Sequence, residues 1–338
     1  MMLKRSVILI GEKASGGLRT SLESAFHSID WDVETIDYGP WSPKYVASAA
    51  FRIPKLGILF ELQFKNKIDE LVGKEKKDLV IFLTSSFITF QTVEYLRKKF
   101  SSPIICWNAD SPFDDAISNR GAGQPRVIPA YDYYVTWSED VAELIMPRNP
   151  NVLVIPFAWD PNLHFPVQGT GQAAGRVVFV GSGNRERVEL IERIKRFEPL
   201  IFGNQWPEIK GVEVKPAIYG ETMAGIVGEA KWNLNILRRQ NENSHNMRTF
   251  EVPGCGGNQV TKLTKDHVRF LGKDTRTKFY GSLSELCDLL DTNPDKLSPR
   301  DRNVLDGHTY SDRVRELLKL VNISDSYNEN NSRNSPTE

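Results

Sequence analysis

Residues 176–184 read Arg-Val-Val-Phe-Val-Gly-Ser-Gly-Asn, an apolar run that ends in a glycine turn. Apolar side chains at 188, 190, 191 and 194 follow with helical spacing across residues 187–197. The stretch therefore predicts a strand followed directly by a helix. It comes after residues 159–175, which are rich in proline and glycine, have no periodicity and are typical of an interdomain linker.

Short apolar strands alternate with helices on both sides of this linker, a pattern typical of parallel, doubly wound sheets. We therefore predict an α/β protein with two doubly wound, Rossmann-like domains that face a central cleft. The strands are predicted at residues 7–10, 33–36, 79–82, 104–107, 133–137, 152–155, 176–180, 200–202, 232–236 and 259–261. The predicted parts are an N-terminal domain over 1–160, a linker over 161–175, a C-terminal domain over 176–323 and a disordered tail over 324–338.

The composition is that of an ordinary globular protein without net charge. Among 338 residues, 43 basic side chains balance 43 acidic ones, so nothing attracts nucleic acid or an anionic membrane over a long range. The three cysteines, Cys106, Cys255 and Cys287, lack zinc-finger spacing and suit a reducing compartment. No segment has the apolar length of a membrane span, and the first apolar run, residues 6–11, is too short for a signal peptide. We expect a cytoplasmic protein without stable membrane insertion.

The glycine turn at residues 181–184 is a candidate anion site. Gly181 and Ser182 let a ligand approach the backbone, and free N–H groups at the start of the helix favour a phosphate. Arg187 lies on the first turn, where a cation opposes the helix dipole. A plain strand-to-helix turn with solvated arginines is the alternative, because the full Gly-x-Gly-x-x-Gly pattern is absent.

A second candidate site lies at residues 246–257, a short predicted helix that ends in a glycine-rich turn. Arg248 and Glu251 are three residues apart, so they share one face of that helix. A guanidinium binds phosphate oxygens as a two-pronged fork, and a carboxylate can accept hydrogen bonds from both ribose hydroxyls. The pair therefore suits a nucleoside diphosphate, and a surface ion pair is the alternative that the spacing equally allows.

Other residues are candidates for the acceptor side of a reaction. Asp110 follows a predicted strand, so its carboxylate would lie at the edge of the N-terminal sheet and could act as a base toward a hydroxyl. A turn in which Asp110 caps its own backbone accounts for the sequence equally well. Gly16 and Gly17, after the first predicted strand, and His245, in a polar loop of the C-terminal half, are the remaining candidates.

No metal site or cofactor is predicted. The five histidines have no ligand spacing. Asp30 and Asp32 match a three-letter metal-binding pattern, but they lie between a predicted helix and a predicted strand. We interpret them as part of a loop, since so short a pattern recurs by chance.

Three stretches resemble the CgeB-like glycosyltransferases, a GT-B family named for a spore-maturation protein. Residues 246–257, Asn-Met-Arg-Thr-Phe-Glu-Val-Pro-Gly-Cys-Gly-Gly, look like the family's Met-Arg-x-Phe-Glu signature with its paired glycines. Residues 179–182, Phe-Val-Gly-Ser, together with Arg187 are similar to its glycine turn. Residues 308–313 resemble its closing His-Thr-Tyr-x-x-Arg. The resemblance spans most of residues 100–321.

The resemblance implies a metal-independent, hexosyltransferase-like enzyme that takes a sugar from a nucleotide-sugar donor. Glu251 would bind the ribose, and Arg248 or Arg187 would bind the diphosphate. Many retaining GT-B enzymes carry two glutamates eight residues apart, whereas Asn243 stands eight residues before Glu251 here, so the anomeric outcome stays open. The donor-site candidates are Gly181, Ser182, Arg187, Asn246, Arg248, Glu251, Gly256 and Gly257.

The working hypothesis is sugar transfer to an acceptor hydroxyl held by the N-terminal domain. The acceptor is a glycan, a protein, a small molecule or modified DNA, and the sequence does not choose among them. One alternative is a non-catalytic nucleotide-sugar-binding or surface-layer assembly protein, which would not hydrolyse a donor. Another is a sugar transferase acting on modified DNA, which would bind DNA in a salt-sensitive manner.

Overall fold

The computed structural model describes residues 4–13, 17–37, 62, 64–70, 76–83, 88–113, 124–294 and 302–323. Its contacts divide the chain into two compact units, residues 1–156 with 311–338 and residues 157–310. The predicted domain limits of 160, 175 and 323 stay a prediction, and the contacts differ from them in two ways. They group residues 161–175 with the second unit and residues 311–323 with the first. The predicted tail, 324–338, lies outside the described residues.

The first unit contains a six-stranded, fully parallel sheet in the order β2-β1-β3-β4-β5-β6. Its inner strands are almost completely buried, because a parallel sheet is covered on both faces. The strands are β1 Ser6–Gly11, β2 Asp32–Asp37, β3 Leu79–Phe82, β4 Ile104–Trp107, β5 Tyr133–Thr136 and β6 Val152–Val154. The labelled helices are α1 Leu18–Ser28, α2 Phe90–Phe100, α3 Gln124–Val127 and α4 Glu139–Ile145, and residues 64–70 are also helical.

The second unit contains another six-stranded parallel sheet, in the order β12-β11-β10-β7-β8-β9. The strands are β7 Val177–Val180, β8 Leu200–Phe202, β9 Glu213–Lys215, β10 Trp232–Asn235, β11 Gln259–Lys262 and β12 Thr277–Tyr280. The helices are α5 Arg185–Arg193, α6 Gly220–Glu229, α7 Arg248–Gly254, α8 Lys265–Leu271, α9 Leu283–Asp291 and α10 Tyr310–Leu320, whose residues from Ser311 onward group with the first unit.

Strand β7 shows why the second sheet is buried on both faces. Val178 and Val180 pack into a core with residues of α6, whereas Val177 and Phe179 pack into a core on the opposite face with residues of α5 and α9. Successive side chains of a strand point to opposite faces, so an unbroken apolar run is covered on both sides. The predicted α/β class with two doubly wound sheets is therefore confirmed.

Each sheet has one point where the strand order reverses, between β1 and β3 in the first unit and between β7 and β10 in the second. In open α/β sheets, ligands bind beyond the carboxyl ends of the strands at this switch point. The residues at those strand ends are Gly11 and Phe82 in the first sheet, and Val180 and Asn235 in the second. These two positions are where a site is expected.

Some elements have weak sequence signals and were not predicted. Strand β9 is a three-residue edge strand with two charged side chains, and β12 is the opposite edge of the same sheet. Edge strands have less apolar surface to bury, so their patterns are less distinct. Helices α4, α6 and α8 were also missed. Within the described residues, no helix combines the length and the apolar character that crossing a bilayer requires.

Candidate functional site

Arg187 lies at the start of α5, directly beyond the carboxyl end of β7. The side chain of Asn184 accepts a hydrogen bond from the Arg187 N–H at 3.0 Å and so caps the helix. The Arg187 guanidinium is buried and donates to the carbonyls of Ser182 at 2.8 Å and Ile236 at 2.9 Å. It also lies over the Phe179 ring. Among the described residues, these backbone carbonyls are its only hydrogen-bond acceptors, and no carboxylate pairs with it.

Close packing fixes the glycine turn that precedes Arg187. The Gly181 carbonyl accepts a hydrogen bond from Trp206 Nε1 at 2.9 Å. A Cβ at Gly203 would overlap that same carbonyl, and a Cβ at Gly183 would lie 2.5 Å from the Gln205 carbonyl oxygen. Glycine is therefore required at Gly183 and Gly203 because two backbone segments meet there. The turn follows the neighbouring β8 loop closely, which holds Gly181 and Ser182 in place.

Arg248 and Glu251 form an ion pair within α7, as their spacing predicts. The Arg248 guanidinium also donates from Nε to the carbonyl of Val180, the last residue of β7, at 3.3 Å. Arg187 and Arg248 therefore both lie at the carboxyl edge of β7. The Glu251 carboxylate is nearly completely buried, and its second oxygen lies 3.7 Å from His164 Nε2.

The charges at this edge are predominantly positive. Burial, followed by the positive charges of Arg238 and Arg248, lowers the pKa of Arg187 to about 10, and the charge of Glu186 opposes this shift. Burial also lowers the pKa of Arg248. The guanidinium of Arg238 is exposed and has no side-chain partner among the described residues. Arg187 thus interacts with two further guanidiniums, and only that of Arg248 pairs with a carboxylate, an arrangement that an anion would stabilise.

His164 is neutral in this environment. Burial, followed by the charge of Arg248, lowers its pKa to about 4. The Asp160 N–H donates to His164 Nδ1 at 3.2 Å, so the ring proton is on Nε2, the atom that faces Glu251. The contact between His164 and Glu251 is therefore polar rather than ionic.

Asn246 belongs to a buried polar network that holds the start of α7 against the sheet. Its side chain accepts from the Thr249 N–H at 3.2 Å and donates to the side chain of Asn235, the last residue of β10, at 2.8 Å. Thr249 Oγ1 lies 3.0 Å from Nε2 of His267, whose pKa burial lowers to about 4. His267 Nδ1 lies 2.7 Å from the Lys262 carbonyl and donates to it, so Thr249 donates to the neutral ring. The network fixes the backbone from which Arg248 extends.

His245 was predicted as an acceptor-side residue, but the structure gives it protein partners at both ring nitrogens. Nε2 accepts from the Phe157 N–H at 3.1 Å, and Nδ1 lies 2.8 Å from the Asp266 carboxylate. Burial raises the pKa of Asp266, but hydrogen bonds from His245 and Ser244 lower it to a net value below the ordinary one. The His245 ring has no exposed surface. These contacts favour a structural role in the interior of the second unit.

Gly256 and Gly257 lie away from the arginines. Helix α7 begins at the carboxyl edge of the sheet with Arg248 and runs back to the amino end of β11, where the two glycines lie. Gly256 has a φ of +78°, and a Cβ at Gly257 would lie 2.6 Å from the Val227 carbonyl oxygen. These contacts give both glycines a role in chain geometry at the end of α7 opposite Arg248, and their place in the nucleotide site stays a prediction.

Two acceptor-side candidates of the first unit, Asp110 and Gly17, lie at the carboxyl edge of its sheet. Asp110 follows β4 and is partly buried, and its N–H donates to the side chain of Asn108 at 3.1 Å. The side chain of Asn108 therefore caps this turn. Gly17 precedes α1 with extended backbone, and Gly16 lies outside the described residues.

Asp30 and Asp32 lie at the amino end of β2, opposite the edge where ligands are expected. Lys4 forms ion pairs with both, at 3.2 Å to Asp30 and 3.1 Å to Asp32. In the part of the chain that the structure describes, no group of three or more His, Cys, Asp or Glu side chains could hold a metal ion. Asp30 lies in the turn before β2, as interpreted, whereas Asp32 is the first residue of β2 rather than part of a loop.

Sequence reasoning missed three residues of this site. Arg238 follows β10 by three positions, and its strand-end location is a signal that was available. Tyr219 precedes α6, is exposed and interacts electrostatically with Arg248. His164 lies in the predicted linker, and nothing in the sequence connects it to Glu251, 87 positions further on.

Residues 185–319 match the model of the glycosyl transferase-like family. That segment begins with the helix of Arg187 and includes Arg248, Glu251 and all of α7. The architecture of two parallel six-stranded sheets matches solved glycosyltransferases across nearly the whole chain. The fold is GT-B.

Three solved structures illustrate the GT-B likeness. A UDP-forming trehalose-phosphate synthase from Burkholderia xenovorans is 10% identical with a TM-score of 0.62, covering 95% of this chain and 99% of that one. The lipopolysaccharide outer core galactosyltransferase WaaB is 14% identical with a TM-score of 0.57, covering 93% and 99%. HepE from Anabaena, in complex with UDP and glucose, is 10% identical with a TM-score of 0.57, covering 96% and 99%. At such identities the likeness shows the fold alone. No curated protein matches the chain.

Proposed function

We propose that this protein transfers a sugar from a nucleotide-sugar donor to an acceptor hydroxyl. The observation that carries the proposal is the group of three interacting guanidiniums, Arg187, Arg238 and Arg248, at the switch point of a sheet whose chain segment matches glycosyl transferase-like proteins. Preorganised cations at the end of a strand suit a diphosphate, both as a ligand and as a leaving group.

In this proposal the donor diphosphate binds Arg187 and Arg248. The Arg248 guanidinium exchanges the Glu251 carboxylate for phosphate oxygens, and the carboxylate is then available to the ribose hydroxyls. The names of two structural neighbours, a UDP-forming synthase and a complex with UDP and glucose, support a uridine nucleotide as the first donor to test. Asn246, Gly181 and Ser182 position the elements from which these side chains extend.

The chemistry follows from the charges. As the bond between the sugar and the diphosphate breaks, negative charge grows on the phosphate oxygens, and the guanidiniums stabilise it without a metal ion. The first unit holds the acceptor, and Asp110 accepts the proton of its hydroxyl. We place the protein in the CgeB-like group on its three motifs and in the cytoplasm on its cysteine content, and its three thiols are free. No observation favours a non-catalytic protein or a DNA-modifying enzyme.

The test is incubation of the purified protein with UDP-hexoses and with acceptor sugars. We expect release of UDP together with a new glycoside, and slow donor hydrolysis when no acceptor is present. Analysis of the sugar product separates transfer from epimerisation, since a UDP-GlcNAc 2-epimerase shares the fold with a TM-score of 0.51. Binding of UDP without turnover of any nucleotide sugar would instead support a non-catalytic protein.

A further inference from the structure

A buried arginine in the first unit has an unused hydrogen-bond donor. Arg19 lies at the second position of α1, and only 5% of its surface is exposed. Its Nη1 donates to the carbonyl of Gly11, the last residue of β1, at 2.8 Å. Among the residues that the structure describes, its Nε has no hydrogen-bond partner. A buried N–H of a cation without an acceptor is rare in a folded protein and calls for an explanation.

The start of α1 has other unused donors beside this guanidinium. Gly17 occupies the cap position and provides no side-chain acceptor, and the first turn contains no acidic residue. Within the described residues, the N–H groups of Leu18 and Arg19 have no acceptor either. The positive end of an eleven-residue helix and a buried cation on its first turn each favour an anion.

The position in the sheet agrees with a ligand site. Strand β1 adjoins the switch point of the first sheet, where its carboxyl end meets that of β3. A Cβ at Gly11 would lie 2.9 Å from the Cβ of Leu83, so the two strand ends are in close contact next to the residue whose carbonyl binds Arg19. Arg19 has the same place in the first unit that Arg187 has in the second, on the first turn of the helix after the first strand.

One carboxylate lies near this position. Asp37, the last residue of β2, is 4.0 Å from Arg19 Nη1, beyond hydrogen-bond distance. Its side chain accepts from the Lys13 N–H at 3.4 Å, and its carbonyl accepts from Lys67 Nζ at 3.3 Å. Arg19 and Lys67 therefore both lie beside Asp37, Arg19 near its carboxylate and Lys67 at its backbone carbonyl, and neither contact uses Arg19 Nε.

We propose that Arg19 Nε and the first N–H groups of α1 bind an anionic group, a phosphate or a carboxylate, carried by the acceptor. The assignment of this anion to the acceptor rests on the proposed function, whereas the binding of an anion at Arg19 does not. The acceptor is then an acidic sugar or a sugar phosphate rather than a neutral one. The anion would accept hydrogen bonds from the donors that the free protein leaves unused.

The experiment is a titration of the full chain with inorganic phosphate, followed by site-resolved ¹H–¹⁵N spectra. We expect shifts at the amides of Leu18 and Arg19 and at Arg19 Nε. Titrations with a hexose phosphate, a hexuronate and the neutral hexose then separate phosphate from carboxylate recognition. The two charged sugars should differ in affinity, and the neutral hexose should leave Arg19 Nε unchanged.

The decisive variant is Thr20→Glu, which places a carboxylate at the third helical position. Such a side chain can bond the N–H groups at the cap, so it stabilises α1 and occupies the proposed site. We expect it to weaken anion binding by about tenfold or more, and Arg19→Lys to weaken it as well. The matched control is Gln91→Glu, in the first turn of the capped helix α2, which should leave the titration unchanged.

Two outcomes would overturn the proposal. One is the absence of phosphate-dependent shifts at residues 17–20 of the wild-type chain. The other is equal anion affinity in wild type and Thr20→Glu. Failure of the donor site is recognised separately, because UDP titrations report on Arg187 Nε and Arg248 Nε in the second unit. If UDP causes no shift at these two atoms while phosphate still shifts the α1 amides, the anion site is supported and the proposed transferase function is not.

Discussion

The Arg248 guanidinium is 27% exposed, whereas the Glu251 carboxylate with which it pairs is only 2% exposed. The pair is therefore open on its positive side. A ligand that reaches this site from solvent meets the cation first, which suits a diphosphate and accounts for the burial of the acidic partner.

Removing the buried partner should cost stability. Glu251→Ala leaves Arg248 without its carboxylate, and breaking such a pair lowers the free energy of unfolding by about 3 kcal/mol. Glu251→Gln keeps the shape and an acceptor oxygen, so it should cost less. Urea denaturation measures both. The control is Glu189→Ala, which breaks the exposed pair with Arg185 and should change little. Equal stabilities of all three variants would contradict this assignment.

Nucleotide affinity should depend on the guanidinium groups of Arg187 and Arg248. Arg187→Lys and Arg248→Lys keep the charge but lose the bidentate geometry, so each should weaken UDP binding by about tenfold to a hundredfold. Isothermal titration measures the change. Arg185→Lys is the matched control, since Arg185 lies on the same helical turn but is exposed and paired with Glu189. Unchanged affinity in both test variants would remove the diphosphate site.

Stability should fall in acid through two buried histidines. The pKa values of His164 and His267 are lowered to about 4 by burial, below the ordinary value of 6.5. The unfolded chain therefore takes up protons first as the pH falls, and stability present above pH 6.5 is lost between about pH 6.5 and 4. Each buried histidine should lower the free energy of unfolding at pH 5 by about 2 kcal/mol.

Denaturant unfolding at about pH 7.5 and about pH 5 measures this loss. His267→Gln should reduce the number of protons taken up on unfolding by about one, and His164→Gln should have the same effect. His27→Gln, at an exposed position, should retain the wild-type slope. A slope that is unaffected by either buried substitution would show that other groups cause the acid loss.

Gly203, which packs against the glycine turn of the proposed donor site, should tolerate no side chain. Gly203→Ala forces a Cβ against the Gly181 carbonyl, so it should lower stability by about 1–3 kcal/mol and weaken UDP binding by moving the turn. Gly281→Ala is the control, because its nearest neighbour would be a flexible glutamate oxygen at 3.5 Å. Thermal unfolding and UDP titration of both variants give the comparison.

Activity should persist in the presence of a chelator, because guanidiniums stabilise the leaving diphosphate in the proposed reaction. The measurement is UDP release with EDTA present and with added manganese. Complete loss on chelation, restored by manganese and abolished in Asp30→Asn or Asp32→Asn, would instead assign the metal to the pair that Lys4 now holds.

The secondary structure was predictable where strands are apolar and fully buried. Strands β3, β4 and β8 have the predicted bounds, because buried parallel strands require unbroken apolar runs. The edge strand Glu213–Lys215 has no such run, since solvent covers part of its surface. The site was predictable where spacing along one element decides it, as for the pair three residues apart in α7.

The sequence by itself determined the α/β class, the two sheets and the face shared by Arg248 and Glu251, because periodicity and spacing are local properties of the chain. Only the tertiary structure decided that Arg238 lies near Arg187, that His164 faces Glu251 and that Gly257 packs against the Val227 carbonyl. It also decided that Arg19 Nε has no hydrogen-bond partner within the described ranges. These facts depend on contacts between distant segments and on burial, which sets both the pKa values and the unsatisfied donors, and no pattern along the chain encodes them.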